Sequence, residues 1–153
     1  MAIAYIGIGT NLGDRHHNIE RAVDLLSSDR IVVKSLSGVY ETDPWGFDSE
    51  NRFLNMAACL ETDISPEGLL QYLFSVENLM GRVRKGKGYS SRIIDLDLLF
   101  FDNLVLESPL LTLPHPLLHK RYFVLKPLSD IAPTLKHPLL GLTVVEMLQG
   151  IKT

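Results

Sequence analysis

Two stretches have apolar residues at helical spacing: Ile19, Ala22, Val23 and Leu26, then Leu69, Leu73, Val76 and Met80. Each stands between segments that alternate or are rich in β-branched and aromatic residues. This order constrains the fold more than any other feature. Ala2 to Gly9 alternates, Val32 to Thr42 and Phe53 to Thr62 are β-rich, and Ile93 to Phe101 follows the second helical stretch. Asp14 can cap the first helix, Ser65-Pro66 opens the second as N-cap and first helical residue, and Gly81 ends it. The turn-forming stretch Asp43-Pro-Trp-Gly-Phe-Asp-Ser-Glu50 joins the middle two strands as a long loop. The expected order is β-α-β-β-α-β, an α+β fold of the ferredoxin-like kind with an antiparallel sheet and helices covering one face.

The tail adds short elements. Asp102-Asn103 turns into a short strand at Leu104 to Leu106, and His115 to Ser129 reads as helical turns broken by Pro116 and Pro127. Thr143-Val-Val-Glu146 is a capping box for a last short helix, so a helical C-terminal extension is expected. No repeat or long linker divides residues 1–153, which are expected to form one domain. No apolar run reaches the length of a membrane span and the N-terminus lacks a secretory pattern, so a cytosolic protein is expected. The lone cysteine, Cys59, lies in an apolar run and reads as a buried small hydrophobe. A net charge of -3 argues against general nucleic-acid binding.

Positive charge is nevertheless concentrated in one place. Arg82, Arg84, Lys85, Lys87 and Arg92, with Gly86 and Gly88 among them, directly precede Asp95-Leu-Asp97. If Ile93 to Phe101 is extended, Asp95 and Asp97 share one face with Ile93, Leu99 and Phe101. Ile94, Leu96, Leu98 and Phe100 take the other. Adjacent carboxylates repel each other unless a cation lies between them. Carboxylates beside a nucleotide are a usual way to hold Mg²⁺, whose remaining ligands are waters and phosphate oxygens. A solvated loop beside an exposed polar edge is the plainer alternative. Against it, the two aspartates interrupt an otherwise apolar side, where a polar pair needs a partner.

Other signals are weaker. Gly7-Ile-Gly9-Thr-Asn-Leu-Gly13 has its third glycine one residue too late for a dinucleotide fingerprint, and tight backbone packing accounts better for these glycines. His115 and His119 are four apart but lack an evident third ligand for a transition metal. Phe53 and Asn55 share a strand face, as an aromatic and an amide that seat a flat heterocycle would. On spacing alone, an asparagine bonded to a neighbouring strand's loop is the favoured reading.

These residues assemble into a resemblance. Ala4-Tyr-Ile-Gly-Ile-Gly-Thr-Asn-Leu-Gly13, Tyr40-Glu-Thr-Asp-Pro-Trp-Gly46, Phe53-Leu-Asn55, Gly81-Arg-Val-Arg84, Arg92-Ile-Ile-Asp-Leu-Asp97, and Pro114-His115 with Arg121 and Phe123 occur in order. Together they make the chain resemble the 6-hydroxymethyl-7,8-dihydropterin pyrophosphokinase family of folate biosynthesis over essentially its full length. The resemblance implies transfer of pyrophosphate from ATP to the pterin hydroxymethyl group with release of AMP. It implies two Mg²⁺ ions held by Asp95 and Asp97, and catalytic charge stabilisation by Arg82 and Arg92. ATP would be bound by Glu77, Arg84, Tyr89, Arg92, Leu98, Thr112, His115 and Arg121. Phe53 and Phe123 would sandwich the pterin, Asn55 would read its amide-like edge, and Thr42, Asp43, Pro44 and Trp45 would complete the pocket. The resemblance thus reverses the reading of Asn55.

One segment departs from the family. Gly88-Tyr89-Ser90-Ser91-Arg92 stands where a basic residue, an aromatic and Gly-Pro-Arg are usual. That bears on ATP affinity and on closure of the basic segment as a lid, more than on the reaction. The alternatives are another Mg²⁺-dependent phosphotransferase or nucleotidyltransferase on a ferredoxin-like sheet, or a non-enzymatic nucleotide- or RNA-binding module. The expected partners are small molecules, with no nucleic acid and no membrane, and the expected state is a monomer.

Overall fold

The computed structural model describes residues 1–43, 52–81 and 93–151. Strand β1 (Ala2–Thr10) leads into helix α1 (Arg15–Leu26), which Asp14 caps by accepting the His17 N–H at 3.1 Å. Strands β2 (Ile31–Leu36) and β3 (Tyr40–Thr42) come next, then β4 (Phe53–Thr62). Helix α2 (Pro66–Leu79) begins with Pro66 behind the Ser65 cap and gives way to Gly81, whose φ of 88° favours glycine. Strand β5 (Asp95–Phe101) follows.

The main sheet runs β2-β4-β1-β5 with every pairing antiparallel, and β3 pairs with β4 beyond β2. The expected antiparallel sheet with helices is therefore present. The single segment expected at Val32 to Thr42 is divided. Between its two parts Ser37 uses its backbone N–H and its hydroxyl on the backbone of Ala57 (2.9 and 2.8 Å), holding the chain to the sheet without a regular ladder.

Helices cover both faces, not one. Ile6, Ile8, Leu60, Leu96 and Leu98 face α1 and α2, meeting Ile19, Leu26, Leu69, Leu73 and Val76 in the larger core. On the opposite face Ala57, Leu99 and Phe100 pack under α3 (Tyr122–Ile131) and α4 (Val144–Gln149), against Leu125, Leu128, Val144 and Met147. The tail thus supplies the apolar cover that an exposed sheet face would otherwise lack. Pro127 lies inside α3 and does not end it. The Thr143–Glu146 capping box opens α4 as expected.

Two details of the β5 region differ from the alternation read in the sequence. Ile6 pairs with Leu98 but Tyr5 with Phe100, so Leu99 is an extra residue, a β-bulge. The bulge reverses the faces beyond it: Phe100 joins the α3 side with Leu99, and Phe101 enters the larger core. The short strand after Asp102-Asn103 is β6 (Leu106–Glu107), later than expected, and it pairs with β7 (Thr112–Leu113). Cys59 is buried and free, as its apolar surroundings indicated.

Candidate active site

Register brings the site together. Tyr40 pairs with Asn55, Asn55 with Gly9, and Gly9 with Asp95, so four strands place these residues in one row. The adjacent row runs Ala57, Gly7, Asp97. Directly paired residues share a sheet face. The two glycines therefore leave a floor without side chains between the Asn55 side and the aspartates. A Cβ on Gly9 would stand 3.4 Å from Asn55 Oδ1 and 3.8 Å from Phe53 Cδ1, at the bottom of the space these side chains enclose.

Above the floor is a pocket open to solvent. Thr42 from β3 and Asp43 just after it, Phe53 and Asn55 from β4, Asp95 and Asp97 from β5, and Arg121, Phe123 and Val124 at the start of α3 line it. Asn55 is buried, and its Nδ2 donates to Thr42 Oγ1 at 2.6 Å. Spacing alone favours a bond to a neighbouring strand's loop; the bond goes instead to the last residue of the neighbouring strand itself. It also orients the amide so that Oδ1 lies over Gly9. Arg121 is buried, with its guanidinium 5.6 Å from the Phe123 ring centroid, and burial pushes its pKa down. Arginine stays charged nonetheless, so the pocket presents a cation as well as two carboxylates.

A polar knot fixes the start of β5. Thr10 Oγ1 donates to the Ile93 carbonyl, and Asn18 Nδ2 donates to Leu12 O at 2.8 Å, Thr10 Oγ1 at 3.3 Å and Ile93 O at 3.4 Å. The end of β1 and the first turn of α1 are thus tied to the residue two before Asp95. On the outer edge of β5, the buried Glu77 carboxylate accepts the Leu96 N–H at 2.8 Å, between the two aspartates. The His115 N–H donates to Leu99 O at 2.9 Å on the same strand.

Glu77, Leu98, Thr112 and His115 are not among the residues lining the pocket. Leu98 is part of the larger core and Thr112 lies half-buried on β7. Burial pushes the His115 pKa down, more than nearby Asp95 raises it. Its Nδ1 accepts the Leu117 N–H at 3.2 Å, so the neutral ring carries its proton on Nε2. Pro44, Trp45, Arg82, Arg84, Tyr89 and Arg92 lie outside the described residues, as does the rest of the basic segment. Sequence reasoning missed Gly7 and Gly9 as the floor, and Met56 and Val124 as lining. The glycines could have been found from their alternation with Ile6 and Ile8, which puts both on the face away from the larger core.

Among the described residues no group of three or more His, Cys, Asp or Glu could enclose a metal ion. The Asp95–Asp97 pair beside an open pocket instead has the donor chemistry that suits Mg²⁺, which takes one or two carboxylates and completes its shell with water and phosphate. The residues fit that ion.

An amide and two aromatics line the pocket together with a carboxylate pair, on an antiparallel sheet backed by helices. The family model for 7,8-dihydro-6-hydroxymethylpterin-pyrophosphokinase matches residues 5–133. A 2-amino-4-hydroxy-6-hydroxymethyldihydropteridine pyrophosphokinase of Porphyromonas gingivalis is 42% identical over 141 residues, covering 90% of this chain and 95% of the relative. The enzyme of that name from Bacillus subtilis is 42% identical over 130 residues, covering 84% and 77%. A crystal structure of wild-type Plasmodium falciparum HPPK-DHPS with SDX-DHP superposes with a TM-score of 0.74 at 19% identity. It covers 97% of this chain, which spans 43% of that longer chain, and at this identity the likeness speaks for the fold. The chain belongs to the 7,8-dihydro-6-hydroxymethylpterin-pyrophosphokinase family. Among the described residues no helix is long and apolar enough to cross a membrane.

Proposed function

We propose that the pocket binds 6-hydroxymethyl-7,8-dihydropterin and that the chain transfers the pyrophosphoryl group of ATP to it, as a cytosolic, monomeric enzyme of folate biosynthesis. The hydroxymethyl oxygen attacks the β-phosphorus, the bond from that phosphorus to the α-phosphate oxygen breaks, and the hydroxyl proton is lost. The products are AMP and the pterin diphosphate. The strand order β2-β4-β1-β5 is read as the ferredoxin-like arrangement, with residues after β5 as its C-terminal extension.

The observation that carries this reading is the row Asn55–Gly9–Asp95. Two strand spacings, roughly 10 Å, separate its ends. That is the span of a bicyclic ring whose amide-like edge meets Asn55 and whose one-carbon arm reaches toward the aspartates. Phe53 and Phe123 stack on the ring faces, and Gly9 leaves room at the bottom of the slot for the ring between them. The aspartates alone would suit another phosphotransferase, but the amide and aromatic end favours a pterin.

Asp95 and Asp97 would hold Mg²⁺, which when bound supplies charge neutralisation and a template for the triphosphate. Arg121 faces the anion from α3, and neutral His115 can donate from Nε2. We assign Arg82 and Arg92 to the charge that moves between phosphates, and Glu77, Arg84, Tyr89, Leu98 and Thr112 to the nucleotide. Pro44 and Trp45 complete the pterin side with Thr42 and Asp43. Positioning and electrostatics supply most of the catalysis in such transfers.

Asp97→Ala tests the assignment. Turnover should vanish while the chain stays folded, because removing one carboxylate relieves repulsion as it removes a ligand. Pterin binding, measured by calorimetry, should survive. Near-normal turnover of the folded variant at limiting Mg²⁺ would overturn the metal role.

A further inference from the structure

Asp130 lies near the C-terminal end of α3, outside the pocket lining, yet its carboxylate gathers two donors from another part of the fold. Tyr40 Oη stands 2.8 Å from Oδ1 and 2.7 Å from Oδ2, and the Gly38 N–H donates to Oδ2 at 3.0 Å. Lys126, one turn earlier on the helix, holds Nζ 5.8 Å from the Tyr40 ring centroid. Hydrogen bonds to a carboxylate are stronger than those between neutral groups. The Asp130 bond is also the main reason the Tyr40 pKa is raised.

The location gives this contact its consequence. Tyr40 is the strand partner of Asn55, and Thr42, two residues on, accepts the Asn55 amide. Phe123 precedes Asp130 by seven residues, two helical turns, and so occupies the same stripe of α3 about 10 Å along the axis. Among the described residues β3 has three residues and pairs only with β4, so its ladder does not determine its separation from α3. Arg52, bonded at 3.1 Å to both Glu41 and Asp43, ties β3 back to the strand it already joins. The Tyr40–Asp130 hydrogen bond, with Lys126 over the Tyr40 ring, spans directly from β3 to α3.

We propose that Asp130 is a positioning residue that acts through Tyr40. It sets the separation between β3 and α3, hence the width of the slot between the Asn55 wall and Phe123, and so governs affinity for the flat ring without touching it. The inference rests on reading the pocket as the pterin site.

Calorimetry with 6-hydroxymethyl-7,8-dihydropterin in the presence of a non-hydrolysable ATP analogue, and with the analogue alone, tests it on Tyr40→Phe, Asp130→Ala, Asp130→Asn and Asp130→Glu. Tyr40→Phe and Asp130→Ala should each weaken pterin binding about tenfold, the scale of one lost charge-assisted bond. Affinity for the analogue alone should be unchanged, which also reports that each variant is folded. The double variant should bind pterin no more weakly than Asp130→Ala, since the Tyr40 bond is already lost in that variant. Asp130→Glu, which keeps the carboxylate, should recover part of the loss, and the milder Asp130→Asn should fall between. In steady state the pterin KM should rise while kcat holds. Pterin affinity unaltered across the series, or falling in step with that for the analogue, would overturn the inference alone. If the unaltered chain bound no pterin, the reading of the pocket would fall and this inference with it.

Discussion

Gly9 and Asn55 make opposite demands on the same few ångströms of the pocket, and substituting each separates binding from stability. Gly9 has no positive φ, so alanine is conformationally allowed there and should stabilise by up to about 1 kcal/mol by restricting the unfolded chain. Its methyl group would nevertheless crowd Asn55 Oδ1 at 3.4 Å and raise the floor under the ring. Gly9→Ala is therefore expected to melt no lower than the unaltered chain while pterin affinity falls, readable by paired thermal denaturation and calorimetry. Asn55→Ala should cost about 1–3 kcal/mol of pterin binding, the penalty for an unpaired polar edge in a closed site, and much less of ATP binding. Equal losses for both ligands would make Asn55 a structural residue. At this scale the sequence was informative about identity and silent about neighbours. Phe53, Asn55, Asp95 and Asp97 could be picked out by type and spacing, whereas the facing of Gly9 to both Asn55 and Asp95 depends on pairings between strands far apart in the chain.

Local signals placed the elements well because caps and turns act within a few residues. Asp14, Ser65, Gly81 and the Thr143–Glu146 box all stand where their chemistry indicated. What local pattern could not disclose was the bulge at Leu99, which arises from pairing with β1 and exchanges the faces of Phe100 and Phe101. Nor could it show that α3 and α4 would cover the second sheet face, because a helix stripe says that a face is buried and not against what. The polar knot gives an element-level prediction. Asn18→Ala removes an amide shared among Thr10, Leu12 and Ile93 and should destabilise the fold by about 1–3 kcal/mol. Because Ile93 leads into β5, kcat should fall further than the lost stability accounts for at a temperature where the variant remains folded. A variant that is less stable but fully active would confine the knot to a structural role.

Acid should loosen the whole molecule through His115 and His137. Burial lowers the pKa of His115 and, with help from His119, that of His137. His137 Nδ1 also accepts the N–H groups of Leu139 (3.2 Å) and Leu140 (3.1 Å), bonds that a protonated Nδ1 could not accept. The unfolded chain, with histidines near about 6.5, takes up protons before the folded one does. This contribution to stability is complete above that value and declines as pH falls toward the lower folded values. Urea denaturation should therefore show a lower midpoint at about pH 5.5 than at about pH 7.5. The drop should shrink in His137→Asn, whose amide oxygen can still accept a backbone bond without taking up a proton; an undiminished drop would remove His137 from the account.

The central claim is that this pocket directs a pterin hydroxyl to the β-phosphorus of ATP, and product analysis tests it most directly. Incubation with ATP, Mg²⁺ and 6-hydroxymethyl-7,8-dihydropterin, followed by chromatographic separation of the nucleotides, should give AMP only when the pterin is present, in equal amount to a pterin carrying two added phosphates. ADP with a singly phosphorylated pterin, or AMP released regardless of the pterin, would contradict it.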